Sequence, residues 1–289
     1  MQIPPGNRVA QVLVPGVWSI EPSHPPSSAE GSHRNPWALV VSFGFPSPTS
    51  LKFSHLLRLA AASKKVLSER QYNQEFNASF ETASGRIYED YSADNYTDRL
   101  IQPHEQLLWM HDQNYTPLSS AIGVRDGDNL YLLDEIVLTS AVSRQSAMEF
   151  VERYKDHKNR KVLIYGDPAG KAGEKHGHPS DYTEIEDVLK QSGWTYERRV
   201  KPAHPAIKDR QNAVRAKIKT ASGSVSVFVN KNTAEWCHKG LATVQLQKGS
   251  TFQEDQKNDY QHITTAIGYM IDYEWPINNV AFDLNIRFR

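Results

Sequence analysis

From residue 105 onward, apolar residues gather into short runs that alternate with stretches of helical spacing. Residues 106–110, 119–124 and 129–138 read as three successive strands. Between the last two, Arg125-Asp126-Gly127-Asp128 is a hairpin turn signal, so the three strands pair antiparallel. Residues 144–157 then place Ala147, Phe150, Val151 and Tyr154 on one helical face, ahead of a strand at 161–165. A helix around 182–191 and a strand at 194–200 continue the alternation of strand and helix. Beyond them come a basic helix (207–220), a short strand (224–229), a helix (233–246) and a last helix at about 259–273. No internal repeat is visible.

The first 50 residues behave differently. They are rich in Pro, Ser and Gly, as in Pro22-Ser23-His24-Pro25-Pro26-Ser27-Ser28, and show neither period, which predicts an irregular extension over 1–53. Residues 54–80 read as a helix whose apolar positions include Leu56, Leu57, Leu59, Val66, Tyr72 and Phe76, with Ser68-Glu69-Arg70-Gln71 as a capping box. Gly85-Arg86-Ile87-Tyr88 reads as a short strand or turn. The expected organisation is an extension (1–53), a helical linker (54–104), a main domain (105–276) and a tail (277–289).

Composition narrows the partners only slightly. With 33 basic and 33 acidic side chains the net charge is zero, so any nucleic-acid contact must come from local charge. The single cysteine, Cys237, excludes an internal disulfide framework and a cysteine-based zinc cage, and fits a reducing compartment. No apolar run approaches the roughly 18 to 20 residues of a spanning helix, so no membrane is expected and the chain should be soluble and intracellular.

The chemistry starts at two strand ends. Leu107-Leu108-Trp109-Met110-His111-Asp112 delivers an acidic side chain where a buried strand stops, and Val162-Leu163-Ile164-Tyr165-Gly166-Asp167 repeats the arrangement. Paired carboxylates of this kind point to divalent metal, because two ions about 3.5 to 4 Å apart need shared carboxylate oxygens to offset their repulsion. Magnesium or manganese would be the hard-ligand choice. Three antiparallel strands followed by a crossover to parallel ones is the layout of the ribonuclease H-like fold, in which acids of the first and fourth strands sit side by side. The expected class is therefore α/β, a mixed five-stranded sheet flanked by helices.

Five motifs in order carry a resemblance: Leu67 to Phe80, Trp109-Met110-His111-Asp112-Gln113-Asn114 with Pro117 to Ala121, Leu130 to Ile136, Tyr165 to Gly170, and His262 to Tyr269. Together they resemble the nuclease half of the large terminase subunit of tailed bacteriophages, over about residues 66–276. The resemblance implies a two-metal endonuclease acting on double-stranded DNA in the bacterial host cytoplasm, with Asp112 and Asp167 as metal ligands. It also implies contact with the portal and the small terminase subunit. An unrelated ribonuclease H-like resolvase or transposase would leave residues 67–80 unexplained.

Two departures from the family pattern stand out. No G-x-x-x-x-G-K-[ST] occurs, and Gly166-Asp167-Pro168-Ala169-Gly170-Lys171 is one residue short with Ala172 in place of the hydroxyl, so ATP hydrolysis is not expected. Where the family usually reads His-x-x-Asp-Ala, this chain reads His262-Ile263-Thr264-Thr265-Ala266. Thr265 can touch a metal but cannot neutralise two dications, so the second ion should bind more weakly. His262 is the expected third ligand, with Asp259 three residues earlier as the other candidate. The competing outcome is a catalytically impaired remnant that only binds DNA or packaging partners.

Further candidates each have a plain structural alternative. Glu135 is read as a ligand or water-orienting base, set beside Asp134 in the same strand. Asp181 serves as a helix N-cap or approaches the metals. Gly166 and Gly170 serve tight turns. His176 and His178 sit in a Gly- and Lys-rich loop that is either solvated or metal-binding. In the basic segment, Arg199, Lys208, Arg215 and Lys219 either form a solvated face or track a DNA backbone without reading bases. Trp194 and Trp236 are expected in the core.

Overall fold

The computed structural model describes residues 51–76, 85–114, 116–172 and 179–277. The expectations for residues 1–50, for His176 and His178, and for nearly all of the tail lie outside that set.

The helix expected over 54–80 is two helices, α1 (Leu51–Lys64) and α2 (Glu69–Phe76), with 77–80 outside the described residues; 51–53, expected to belong to the irregular extension, are helical. Ser68 accounts for the break. Its Oγ accepts the backbone N–H of Gln71 at 3.3 Å, so it opens a second helix instead of sitting inside one.

Six strands form one mixed sheet in the order β5-β4-β1-β2-β3-β6. They are β1 (Leu107–Asp112), β2 (Leu118–Asp126), β3 (Asn129–Leu138), β4 (Lys161–Gly166), β5 (Thr195–Arg198) and β6 (Val227–Val229). The first three pair antiparallel, while β4 runs parallel to β1, β5 to β4, and β6 to β3. This is a ribonuclease H-like α/β fold. Its sixth strand comes from the short 224–229 segment, which docks beside β3.

Helices cover both faces of the sheet, which is why β1 is buried along its whole length. Side chains alternate between two cores. Leu108 and Met110 join the core under α5 (Ile207–Ile218), α6 (Glu235–Thr243) and α7 (Tyr260–Glu274). Leu107 and Trp109 join the other, under α3 (Ser143–Arg153) and α4 (Asp181–Gln191). Trp109 stacks on Phe150 with ring centres 4.2 Å apart and donates its Nε1–H to Ser120 Oγ at 3.0 Å. Trp194 is buried in the same core, and Trp236 packs half-buried against Tyr260.

The helix expected to reach 157 stops at Arg153. The backbone of Tyr154, its C-cap, leaves the helical region, and the Arg153 and Tyr154 side chains bond the Asp134 carboxylate at 2.9 and 2.7 Å. Among the described residues no helix is long and apolar enough to cross a membrane.

Candidate metal centre

The site begins with strand register. On the parallel pair β1 and β4, His111 stands opposite Gly166, so Asp112 and Asp167 leave neighbouring strands side by side. Two glycines permit the close approach. A Cβ at Gly166 would lie 2.7 Å from both His111 O and Tyr182 Oη, and one at Gly170 would lie 2.6 Å from Gln113 Oε1. Asp167 then caps a short 3-10 turn (Pro168–Lys171), its Oδ1 accepting Ala169 N–H at 2.7 Å. Tyr182 donates its hydroxyl to Asp167 O at 2.9 Å.

Asp112 is 6% exposed, and one oxygen carries its contacts. Asn114 Nδ2 donates to Oδ2 at 2.7 Å, and His262 Nδ1 from α7 lies 2.8 Å from the same atom. Burial raises the Asp112 carboxyl above the ordinary carboxylate range. The His262 hydrogen bond and charge and the Arg210 guanidinium oppose that shift, and the nearby Asp167 carboxylate reinforces it.

Both acids open into a cleft of about 530 Å³ whose other wall is formed by α5, α7 and the segment before α7. Thr265 lines it but is engaged within the wall. Its Oγ1 donates to Glu254 Oε2 at 3.2 Å and accepts from Arg210 Nη2 at 3.2 Å. Glu254 also pairs with Arg210 at 3.5 Å and accepts from Gln211 Nε2 at 3.0 Å. His204 completes the Asp167 side, its Nδ1 lying 3.3 Å from Asp167 Oδ1 and 3.2 Å from Tyr269 Oη.

Other sequence candidates lie elsewhere. Glu135 sits on β3 and accepts the backbone N–H groups of Trp236 and Cys237 at 2.8 and 2.9 Å, capping the start of α6. It does not line the cleft. Asp259 is exposed just before α7. The N-cap of α4 is Ser180, which accepts Thr183 N–H at 3.1 Å, while Asp181 is the first helical residue and takes the Ser143 hydroxyl at 2.7 Å. A serine hydroxyl fits that capping position as well as a carboxylate does.

The basic candidates do not share one face. Lys208 is exposed at the start of α5, whereas Arg215 is 5% exposed and donates to Ile87 O at 2.7 Å and Asn212 Oδ1 at 2.9 Å. Lys219 pairs with Asp94 at 3.3 Å, and Arg199 with Glu197 and Glu274, each at 2.7 Å. Regular helical spacing gave no sign of that burial. It follows from α5 lying between α7 and the segment around Ile87.

The donor set at the strand ends fits a hard divalent cation. Two carboxylates leave adjacent strand ends there, and the positive charge a cation brings would offset the burial, and the smaller repulsion from Asp167, that keep Asp112 raised. Among the described residues, no group of three or more His, Cys, Asp or Glu is arranged to hold a metal ion. The fit therefore rests on the two aspartates. Glu254, His204 and the role of Arg210 were not singled out from the sequence, because nothing in their spacing marks them.

No protein-family model matches the sequence, and no curated protein matches it. The structure is similar to the large terminase of a thermophilic bacteriophage, at TM-score 0.54 and 12% identity, over 74% of this chain and 51% of that one. The same terminase in complex with ATP-gamma-S gives TM-score 0.55 and 13% identity over 75% and 52%. The P22 large terminase nuclease domain matches at TM-score 0.46 and 14% identity over 66% of this chain and 94% of that one. This chain thus spans about half the length of the thermophilic phage protein and shares the fold of a bacteriophage large terminase over that half.

Proposed function

We propose that the chain is a terminase nuclease, a divalent-metal-dependent endonuclease that cuts double-stranded DNA during phage genome packaging in the host cytoplasm. The observation that carries this reading is the register of β1 and β4, which delivers Asp112 and Asp167 together into an open cleft. The five ordered motifs and the fold shared with the thermophilic phage terminase support it. The portal and the small terminase subunit are the packaging partners of this reading. ATP hydrolysis is no part of it.

In this reading Asp112 and Asp167 would hold magnesium or manganese, which would supply Lewis-acid charge and make water a better nucleophile. Asn114 and His262 fix the Asp112 carboxylate, and the Ala169 N–H fixes that of Asp167. A water oxygen bonds to phosphorus as the bond to the 3′-oxygen breaks, leaving a 5′-phosphate and a 3′-hydroxyl. Nothing in the cleft resembles a major-groove reading helix, so cutting is weakly sequence-dependent.

The test is nicking of supercoiled plasmid with Mn²⁺, run beside Asp112→Asn and Asp167→Asn. Nicking that both substitutions abolish supports the enzyme. A second reading, a remnant that only binds DNA or packaging partners, is favoured by Thr265, whose hydroxyl is committed to Glu254 and Arg210. Absence of nicking at every metal concentration selects it.

A further inference from the structure

The cleft also contains a buried cation. Arg210 is 7% exposed, and α7 is shaped around it: a Cβ at Gly268 would lie 2.8 Å from Arg210 Cγ and 3.0 Å from Cδ. Its guanidinium lies 4.9 Å from the centre of the Tyr269 ring. Burial works against the charge, but Glu254, Tyr269 and other neighbours outweigh it and hold the group protonated.

The guanidinium is held by Thr265, Glu254 and the Tyr269 side chain. Nη2 meets Thr265 at 3.2 Å and Glu254 at 3.5 Å, while a guanidinium carries five N–H donors in a planar fork suited to phosphate. Glu254 is shared among Arg210, Gln211 and Thr265, so it is tied into the wall rather than offered to an ion as Asp112 and Asp167 are. In the nuclease reading one side of the cleft would seat a cation, and the facing side carries a fixed positive group. A phosphodiester is a ligand that spans the two.

We propose that Arg210 binds a non-bridging oxygen of the scissile phosphodiester and supplies the positive charge a second divalent ion would bring, so that the site loads a single ion at Asp112 and Asp167. This rests on the nuclease reading. It turns the substitution at Thr265 into part of a different charge arrangement, in which Thr265 and Glu254 position the guanidinium.

The test uses the full chain with Arg210→Gln, Arg210→Lys and the double variant Arg210→Gln/Glu254→Gln, which avoids an orphaned carboxylate. A melting curve like the wild type's certifies folding. Calorimetric titration with Mn²⁺ should give one site in the wild type and in the variants. Affinity for a short DNA duplex in EDTA at low salt should fall about tenfold in the Gln variants and recover partly in Arg210→Lys. Nicking should fall about 100-fold in all three. Two Mn²⁺ sites in the wild type, or wild-type nicking and duplex affinity in the folded double variant, would overturn the proposal. A wild type that never nicks sinks the nuclease reading instead, and the EDTA affinities then decide the phosphate contact by themselves.

Discussion

Asp112 Oδ2 and His262 Nδ1 lie 2.8 Å apart although 150 positions separate the residues in sequence. The contact joins the end of the central strand to the first turn of α7. It also places His262 beside the carboxylate oxygen in the cleft wall, where it can orient that group. A histidine on this oxygen preorganises Asp112, and losing such a partner typically costs about 10-fold or more in metal affinity. Titration of His262→Ala with Mn²⁺ should show affinity about tenfold weaker at unchanged stoichiometry. Unchanged affinity would remove the orienting role.

His111 is buried against Trp109 at 4.2 Å between ring centres, and burial lowers its pKa to about 3. The unfolded chain takes up this proton near the ordinary value of about 6.5, so in that window it binds more protons than the folded chain. Stability contributed by neutral His111 is therefore complete above about pH 6.5 and is lost as pH falls toward 3. By pH 5 the loss is about 2 kcal/mol. Urea unfolding at pH 7 and pH 5 should show that drop in the wild type and a smaller one in His111→Leu. Equal drops in the two proteins would refute the assignment.

Glu135 binds two N–H groups in the first turn of α6, which have no partner within the helix, with both carboxylate oxygens. Removing a side-chain cap of this kind costs about 1 to 2 kcal/mol. Thermal unfolding of Glu135→Ala should show that loss, and Glu135→Gln should recover part of it by keeping one acceptor. If Glu135→Ala melts like the wild type yet no longer nicks DNA, the carboxylate acts on the reaction and not on the helix.

Arg215 and Lys208 separate two effects that their common charge conceals. Arg215 is bonded inside the fold, so Arg215→Ala should lower stability by about 3 kcal/mol, as expected when a buried charged group loses its place. Lys208 is exposed, so Lys208→Ala should leave the melting temperature unchanged. If Lys208 meets a phosphate, the salt dependence of duplex binding should lose about one unit of slope. An unchanged slope would leave Lys208 as a solvated surface group.

The sequence by itself made legible the strand positions, the antiparallel-then-parallel order and the placing of Asp112 and Asp167 at two strand ends, but not that the short 224–229 segment adds a sixth strand to the sheet. An apolar run that ends in an acid is legible because side chains alternate along a strand, and burial on both faces demands near-continuous apolar residues. The hairpin signal at Arg125 to Asp128 fixed the antiparallel start for the same local reason. Ser68 was legible as a cap but not as a break, since the apolar spacing ran past it.

Tertiary structure alone decided what faces the aspartates. Arg210, Glu254 and His204 come from a helix and two irregular segments, and no periodicity links them to Asp112 or Asp167. They meet because α5 and α7 pack on the same face of the sheet, with Gly268 leaving room for an arginine stem between them. The same packing buried Arg215 and left Lys208 in solvent. Charge pattern along a chain records how many cations a helix carries, and only the neighbours it packs against decide which of them reach a ligand.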